Sequence, residues 1–554
     1  MSSLQDLEKL TDEFIESSCR LSPVTATFWG IHTYDEKLDE FSKEALARNL
    51  AELKGFEQRL VKEIDPASLV SFGQADYQVF LNMVRSSIAE HERFRWHERM
   101  PSLYADIALY SIFLLMTREF APIEERLRGV AARLEQFPRL LDEGKANIVN
   151  PPAVYTQVAI EVAEGAVSFL KETVAPMAER VPALKERLLA ATAQAQSAME
   201  SYLAWLKNDL LPKSAGAFAV GEELFRFKLQ TDLMIDMTCT ELLWLGYKTI
   251  AAAKRQLSRL AKRMDPTKSW AQVVDKIKDD HPSAAELLAF YRTQMERTRD
   301  YVVQKGIAPV PQGERLDVIE TPVFERSTTP YAAYMPPAPF EKDQRGMFYV
   351  TPVDALAPPE KQRDQLRGHC RKGALVVSLH EGYPGHHLQL VYANQSPSRL
   401  RRIAHNTATI EGWALYCEEM MREQGFYGDP ETMLMQLRDT LWRACRVVVD
   451  VGLHTAGMTF EKAVDFMVEE AHLERTNAEA EVKRYTMSPT QPLSYIVGKH
   501  EIMKIRNAYK RMKRRAYRLS DFHTDFLKVS NLPTKLIAEQ LLNEKPWFHK
   551  KPGF

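Results

Sequence analysis

The chain has few cysteines, no excess charge of either sign and no long apolar run, and each lack removes a class of protein. Five cysteines (Cys19, Cys239, Cys370, Cys417, Cys445) are scattered over 554 residues, odd in number and without a Cys-x-x-Cys pair. A disulfide scaffold is therefore not expected, and a reducing compartment is. With 73 basic against 74 acidic residues the net charge is −1, which offers no field to draw in nucleic acid or an anionic membrane. No run of about 18 apolar residues occurs, so no membrane span is expected. The opening Met-Ser-Ser-Leu-Gln-Asp-Leu-Glu-Lys lacks the charged start, apolar core and cleavage site of a secretory signal, and the expected location is the cytoplasm. No fixed-period repeat is found, which sets aside a solenoid.

What is present is ordinary in bulk and specific in places. A hydrophobic content of 45% is that of a globular protein able to bury a large core. Leu4, Leu7, Leu10, Phe14 and Ile15 trace one face of a helix over Leu4 to Cys19, following a 3.6-residue period. Similar patterns recur near 43–63, 75–95, 123–142, 153–174, 185–209, 228–263 and 284–304, punctuated by prolines. The fold class is mostly α, divided into an N-terminal helical subdomain (1–215) and a catalytic region (216–554). Between about 306 and 360 the character changes to short extended segments broken by Pro and Gly, which predicts a small inserted β-sheet. Phe348-Tyr349-Val350 is the candidate edge, where an extended peptide would add as another strand. Tyr349 is thus a substrate-binding candidate, against the plainer reading of ordinary sheet packing.

The most informative stretch is His380-Glu-Gly-Tyr-Pro-Gly-His-His-Leu-Gln. Neutral imidazole is the commonest biological metal ligand, and a neighbouring carboxylate can act as a general base. The zinc-peptidase helix carries His-Glu-x-x-His, with both ligands on one face. Here the second histidine comes six (His386) or seven (His387) positions after His380. In an undistorted helix six residues rise roughly 9 Å and turn about 240°, which points the ring elsewhere. Gly382, Pro384 and Gly385 are poor helix-interior residues, so a bulge of about two residues is expected to bring His386 back to the ligand face. His386 is preferred by analogy with the Gly-His-x-Leu continuation of zinc-peptidase helices; His387 stays open.

Catalytic zinc takes three protein ligands and leaves a fourth position for water. Glu411, twenty-five positions after His386 (411 − 386), lies among Ile410, Gly412, Trp413 and Ala414 in a helical run from Ser398 to Arg422. An unpaired carboxylate in such a setting is costly, and a metal would relieve the cost. The plainer reading pairs Glu411 with Arg401 or Arg402. Glu418 and Glu419 read as supporting or solvated carboxylates. Further on, Arg446, Asp450 and His454 share a helical face at four-residue steps, a ladder that makes His454 a candidate oxyanion donor or a member of a buried ion pair. Arg484 could clamp a peptide carboxylate through a two-pronged contact. The basic run Lys510 to Arg518 reads as a solvated face.

The histidine decapeptide resembles the bacterial family catalogued as domain of unknown function 885. So do Glu411-Gly-Trp-Ala-Leu-Tyr, Arg446-Val-Val-Val-Asp-Val-Gly-Leu-His454, and Arg484-Tyr485 with Gln491-Pro-Leu-Ser-Tyr495-Ile-Val-Gly498-Lys499. Ala333-Tyr-Met-Pro-Pro and Gly346-Met-Phe-Tyr-Val-Thr-Pro352 carry it upstream. The family is similar to mostly helical zinc peptidases with a glutamate third ligand. That implies a helical zinc-peptidase-like body with a deep cleft, one Zn2+ held by His380, His386 and Glu411, Glu381 as general base, and Tyr495 as first-choice oxyanion donor. The expected function is a zinc metallopeptidase acting on short peptides. Alternatives are a metal amidohydrolase on a non-peptide amide, or an inactive relative that binds peptides in the same cleft. The long His-to-His spacing departs from the usual pattern and puts the second ligand and the native metal in question.

Overall fold

The computed structural model describes residues 2–323, 326, 329 and 331–542. Helix accounts for 73% of it, beside one small three-stranded sheet, so the mostly α class stands. The chain forms two compact units. One is Met1–Val220 with Pro322–Thr328 and Ala338–Asp343; the other is Gly221–Thr321, Thr329–Pro337 and Gln344–Phe554. The first thus borrows two short stretches from the region assigned to the second half. Among the described residues no single helix is long and apolar enough to cross a membrane.

In the first unit, Lys43–Glu63 and Lys185–Trp205 lie within runs read from the apolar periodicity, whereas Ser102–Thr117, apolar nearly all round, lies outside them. Ser102–Thr117 forms its centre, with Tyr104, Ala108, Leu109, Ile112 and Leu115 buried. Arg133 is fully buried, and donates to the carbonyls of Lys37 (2.9 Å) and Ser111 (2.6 Å) and to the Thr27 hydroxyl (2.6 Å). A buried charge is tolerated when its donors are satisfied in this way.

The second unit carries α1 (Cys239–Met264), α2 (Leu287–Lys305), α3 (Arg371–Glu381), α4 (His386–Asn394), α5 (Thr407–Glu423), α6 (Pro430–Thr455), α7 (Arg475–Met487), α8 (Ser494–Lys513) and α9 (Leu519–Lys528). The run read as one helix over 228–263 is two, Glu222–Thr231 and α1. Thr238 restarts the helix by accepting from Glu241 N while Glu241 accepts from Thr238 N (2.8 Å), a reciprocal cap. The run from Ser398 is likewise broken, and Asn406 caps α5 through Thr409 N (3.0 Å). Such caps are worth about 1 kcal/mol each.

The sheet comprises β1 (Arg315–Glu320), β2 (Ala332–Met335) and β3 (Arg345–Val350) in the order β1-β3-β2. β3 runs parallel to β1 (Val318 opposite Phe348) and antiparallel to β2 (Tyr334 opposite Phe348). The edge expected at Phe348-Tyr349-Val350 is therefore the middle of the sheet. Gly346 to Val350 are all buried, as suits a strand covered on both faces. Tyr349 is 1% exposed and its hydroxyl reaches the sulfur of Met335 (3.4 Å) inside the sheet, so its assignment as a substrate-binding residue is corrected. Val318, Phe348 and Val350 pack against Leu287, Tyr291 and Met295 of α2 and Ala374 of α3, which seats the histidine helix on the sheet.

α5 and α8 meet at two glycines. A Cβ on Gly498 would lie 1.7 Å from the Ala408 carbonyl oxygen, and one on Gly412 would lie 2.4 Å from the Gly498 carbonyl carbon. Only glycine lets the helices approach this closely. That closeness sets Glu411 of α5 near Tyr495 of α8.

Candidate metal centre

The histidine motif does not bulge; it breaks. α3 ends at Glu381, Gly382 to Gly385 form a non-helical turn with a cis Tyr383-Pro384 bond, and α4 begins at His386. Pro384 has no N–H and its ring excludes a continuous ladder, so a helix with two residues looped out gives way to two helices. Gly385 lies against the end of α3: any Cβ there would be 1.8 Å from the His380 carbonyl oxygen. Trp413 of α5 holds the turn by donating Nε1–H to the Pro384 carbonyl (2.8 Å), and its ring stacks on Phe526 of α9 (5.0 Å).

This turn folds His386 back over His380. Their rings are 4.8 Å apart and nearly perpendicular. Glu411 meets both, its Oε2 lying 3.2 Å from His386 Nε2 and 3.8 Å from His380 Nε2. Glu381 Oε2 is 4.0 Å from His386 Nε2. His380, Glu381 and His386 offer ligand atoms all within 4.8 Å of one another.

These residues fit a zinc ion. Bonds of 2.0–2.1 Å in a tetrahedron separate ligand atoms by about 3.3 Å, and the two Glu411 distances lie on either side of that. Glu411 Oε2 is buried without a hydrogen-bond partner, a costly state for a carboxylate oxygen unless something else meets it. Arg401 and Arg402 do not supply it: Arg401 reaches the Val529 carbonyl (3.3 Å) and Arg402 the Ser396 carbonyl (2.7 Å). Despite burial, the two imidazoles hold the Glu411 carboxyl well below the ordinary range. Burial alone would lower the His380 pKa, but Glu411 and Glu418 outweigh it and hold it up to about 9.

Glu418 is the supporting residue that sequence reasoning left undecided. It is fully buried and bonds His380 Nδ1 at 2.8 Å, which turns Nε2 toward Glu411. A carboxylate behind a ligating imidazole fixes its ring orientation. Arg443 lies 3.6 Å from the same carboxylate. The seven-residue step from Glu411 to Glu418, two turns along one face, was the available signal.

His387 has other partners. Its Nε2 faces Glu314 Oε2 (2.7 Å) and its Nδ1 faces the Tyr334 hydroxyl (3.0 Å). Glu314 also accepts from Tyr383 (2.5 Å) and Arg299 (3.0 Å). His386 is thus the histidine beside His380 and Glu411.

Tyr495 does stand at the site, its ring nearly parallel to His380 at 6.3 Å. Burial and the Glu411 charge push its phenol up to about 12. His454 does not. Its Nε2 meets the Tyr485 carbonyl (3.0 Å) and lies 3.9 Å from Asp450 Oδ1, so the lower rung of the expected ladder is present as a buried pair while the upper one is not. Arg446 pairs with Glu481 (3.0 Å), while Asp450 accepts from Thr490 N and Leu493 N (3.2 Å each). Equal spacing on a helix gives a shared direction, but the closest partners come from other segments. His454 as an oxyanion donor is therefore corrected. Arg484 stands one side chain from the centre: it donates to Gln491 Oε1 (3.0 Å), and Gln491 Nε2 approaches Glu411 Oε1 (3.4 Å).

Mostly helical, with a sheet-supported cluster of two histidines and two glutamates, the chain belongs to the family described as "Bacterial protein of unknown function (DUF885)", whose model matches residues 23–541. A solved structure from Shewanella oneidensis, of a "putative lipoprotein of unknown function", is 28% identical over 98% of this chain and 100% of that one, with a TM-score of 0.79. Another, the "putative lipoprotein" of Colwellia psychrerythraea, is 20% identical over 98% and 99% of the two chains, with a TM-score of 0.83; that likeness is one of fold. The chain matches none of the curated proteins. These lipoprotein names overturn the expected cytoplasmic location, since lipoproteins are held at a membrane. The cysteine argument fails for a physical reason. Cys19, Cys370, Cys417 and Cys445 are buried, and buried thiols are inert whatever the redox poise outside.

Proposed function

We propose that the protein is a zinc-dependent hydrolase, a metallopeptidase of short peptides, with His380, His386 and Glu411 as the residues that would hold one Zn2+. The observation that carries this reading is Glu411 Oε2, buried without a hydrogen-bond partner and converging with two imidazole nitrogens. A zinc ion bound there would supply a Lewis acid that polarises a carbonyl and acidifies water. Glu381, beside His386, takes the proton of the water that attacks the amide carbon and passes it to the departing nitrogen as the C–N bond breaks. Tyr495 keeps its proton at neutral pH and donates to the oxyanion that develops on the carbonyl. Glu418 holds the His380 ring in place through Nδ1. A deep cleft of the kind the family resemblance implies would admit short peptides and exclude folded chains.

The test is elemental analysis of purified protein, joined to hydrolysis of a quenched-peptide panel before and after chelation. One zinc per chain and chelator-sensitive cleavage are expected. Glu381→Gln should keep the zinc and lose turnover by about 10²–10⁴-fold. Zinc retained with no peptide cleaved by the wild type would reject the peptidase.

A further inference from the structure

Four guanidinium groups line the α6–α7 side of the site, and one of them, Arg446, faces Glu411. Arg438, Arg443 and Arg446 come from α6 and Arg484 from α7. Arg446 is sandwiched between rings, 4.6 Å from the centre of Trp442 and 4.7 Å from that of Tyr495. Arg443 lies 5.9 Å from the same Tyr495 ring. Arg443 and Arg446 are 8% and 5% exposed, and Arg443 Nε, Arg443 Nη1 and Arg446 Nε have no hydrogen-bond partner among the described residues. Unpaired donors in a protein interior are few.

Their counter-charges are shared. Arg438 lies 3.0 Å and Arg443 3.7 Å from Asp439, and Arg443 also approaches Glu418, which is already bonded to His380. Arg446 and Arg484 share a single oxygen of Glu481, each at 3.0 Å, and Tyr485 donates to the same atom. The four guanidiniums thus lie among Asp439, Glu418 and Glu481, with Glu474 also facing Arg438 and Glu411 facing Arg446. Arg484 is the guanidinium of the four that meets solvent: its side chain is 32% exposed while its neighbours are covered. Gln491 links that guanidinium to Glu411.

We infer that Arg484, with Gln491, binds a free carboxylate of the substrate, so that the protein acts at the carboxyl end of short peptides. Arginine's planar fork matches a carboxylate in two parallel bonds. Only Gln491 separates Arg484 from Glu411, and an extended peptide advances about 3.3 Å per residue. The scissile bond then lies about one or two residues from the terminal carboxylate, and the products are a single amino acid or a dipeptide. This deepens the peptidase reading and rests on it, since the position of the cut is measured from Glu411.

The experiment takes two mixed-sequence pentapeptide pools, one of free acids and one of carboxyl-terminal amides, and reads products by mass spectrometry with the zinc-loaded full chain. The acid pool should be cut at least tenfold faster, one or two residues from its end. Arg484→Gln should erase that preference, and Arg484→Lys, which keeps the charge without the fork, should restore only part of it. A parallel arm measures retention of both pools by zinc-loaded Glu381→Gln in ultrafiltration, and circular dichroism confirms that each variant is folded. Equal cutting of both pools overturns the carboxylate assignment and leaves the peptidase standing. If neither pool is cut, the peptidase reading fails and retention decides: acid-selective retention lost in an Arg484→Gln, Glu381→Gln double variant supports the carboxylate site, and unselective or absent retention overturns it.

Discussion

His386 and His387 begin the same helix and stand in opposite circumstances. His386 lies across from Glu411 and His380, and its Nδ1 is buried without a hydrogen-bond partner. His387 is fully buried with both nitrogens engaged, one by Glu314 and the other by Tyr334. Around His387 every bond is closed within the protein: Arg299 and Tyr383 complete the Glu314 carboxylate, and Gly346 leaves no room for a Cβ, which would meet His387 Nδ1 at 2.6 Å. Around His386, Nδ1 is left open while Nε2 faces Glu411. Satisfied polar clusters hold a fold in one arrangement, while unsatisfied ones persist when a ligand completes them. The contrast teaches that two adjacent histidines of one motif can differ wholly in the state of their hydrogen bonds, which residue type does not reveal.

The strongest way to break this contrast is to remove each ring in turn. His386→Ala should lose zinc by more than about 100-fold in affinity, beyond what outer-sphere changes cause, with little change in stability. Dialysis against graded zinc buffers and elemental analysis would measure it. If the His387 variant lost zinc and the His386 variant kept it, the assignment would be reversed.

The companion change, His387→Ala, should keep zinc and lower stability by about 2–3 kcal/mol, the worth of a buried hydrogen bond to a charged group. Burial keeps the His387 ring neutral by pushing its pKa down, so the loss is that of a donor and not of an ion pair. Urea unfolding of the chelated protein reads it, and an unchanged midpoint would mean that the network adds nothing.

Glu418→Gln sharpens the comparison from the other side of His380. Its amide can keep a bond to Nδ1 but not the charge, and zinc affinity should fall by about 10–100-fold. Equal affinity in the two proteins would reduce Glu418 to a packing residue.

The smallest expected effect is in acid. Burial would raise the Glu314 carboxyl, but His387, Tyr383 and Arg299 outweigh it and hold it below its ordinary value. A carboxyl lowered on folding adds stability that is present above the unfolded value of about 4.3 and lost as pH falls through the folded one. The chelated wild type should therefore lose stability below about pH 4.3, with a shallower slope in His387→Ala. Parallel slopes would detach Glu314 from the acid limb.

Much of the fold was legible because periodicity is local. Lys43–Glu63 and Lys185–Trp205 begin where the apolar pattern does, and the short segments around 306–360 do form a sheet. The errors share one cause. β3 read as an edge because strand order depends on what pairs from elsewhere, and β2 and β1 close both sides of it. His454 read as a donor because α-helical spacing shows direction but not which remote group is met, and the Tyr485 carbonyl claims its nitrogen. Arg484 could be singled out as a candidate, but nothing local showed that it shares Glu481 with Arg446.

The order of residues by itself determined that regular helix could not run from His380 to a following histidine, because glycine and proline act on their own backbone; it predicted a bulge where the folded chain has a break. It determined as well that Glu411 would lie on an apolar helix needing a partner. Which histidine faces that glutamate, and which is closed into a network with Glu314 seventy-three residues upstream (387 − 314), was decided only when distant segments packed. A side chain's bonding state is a sum over neighbours in space, and most of those neighbours are remote in the chain.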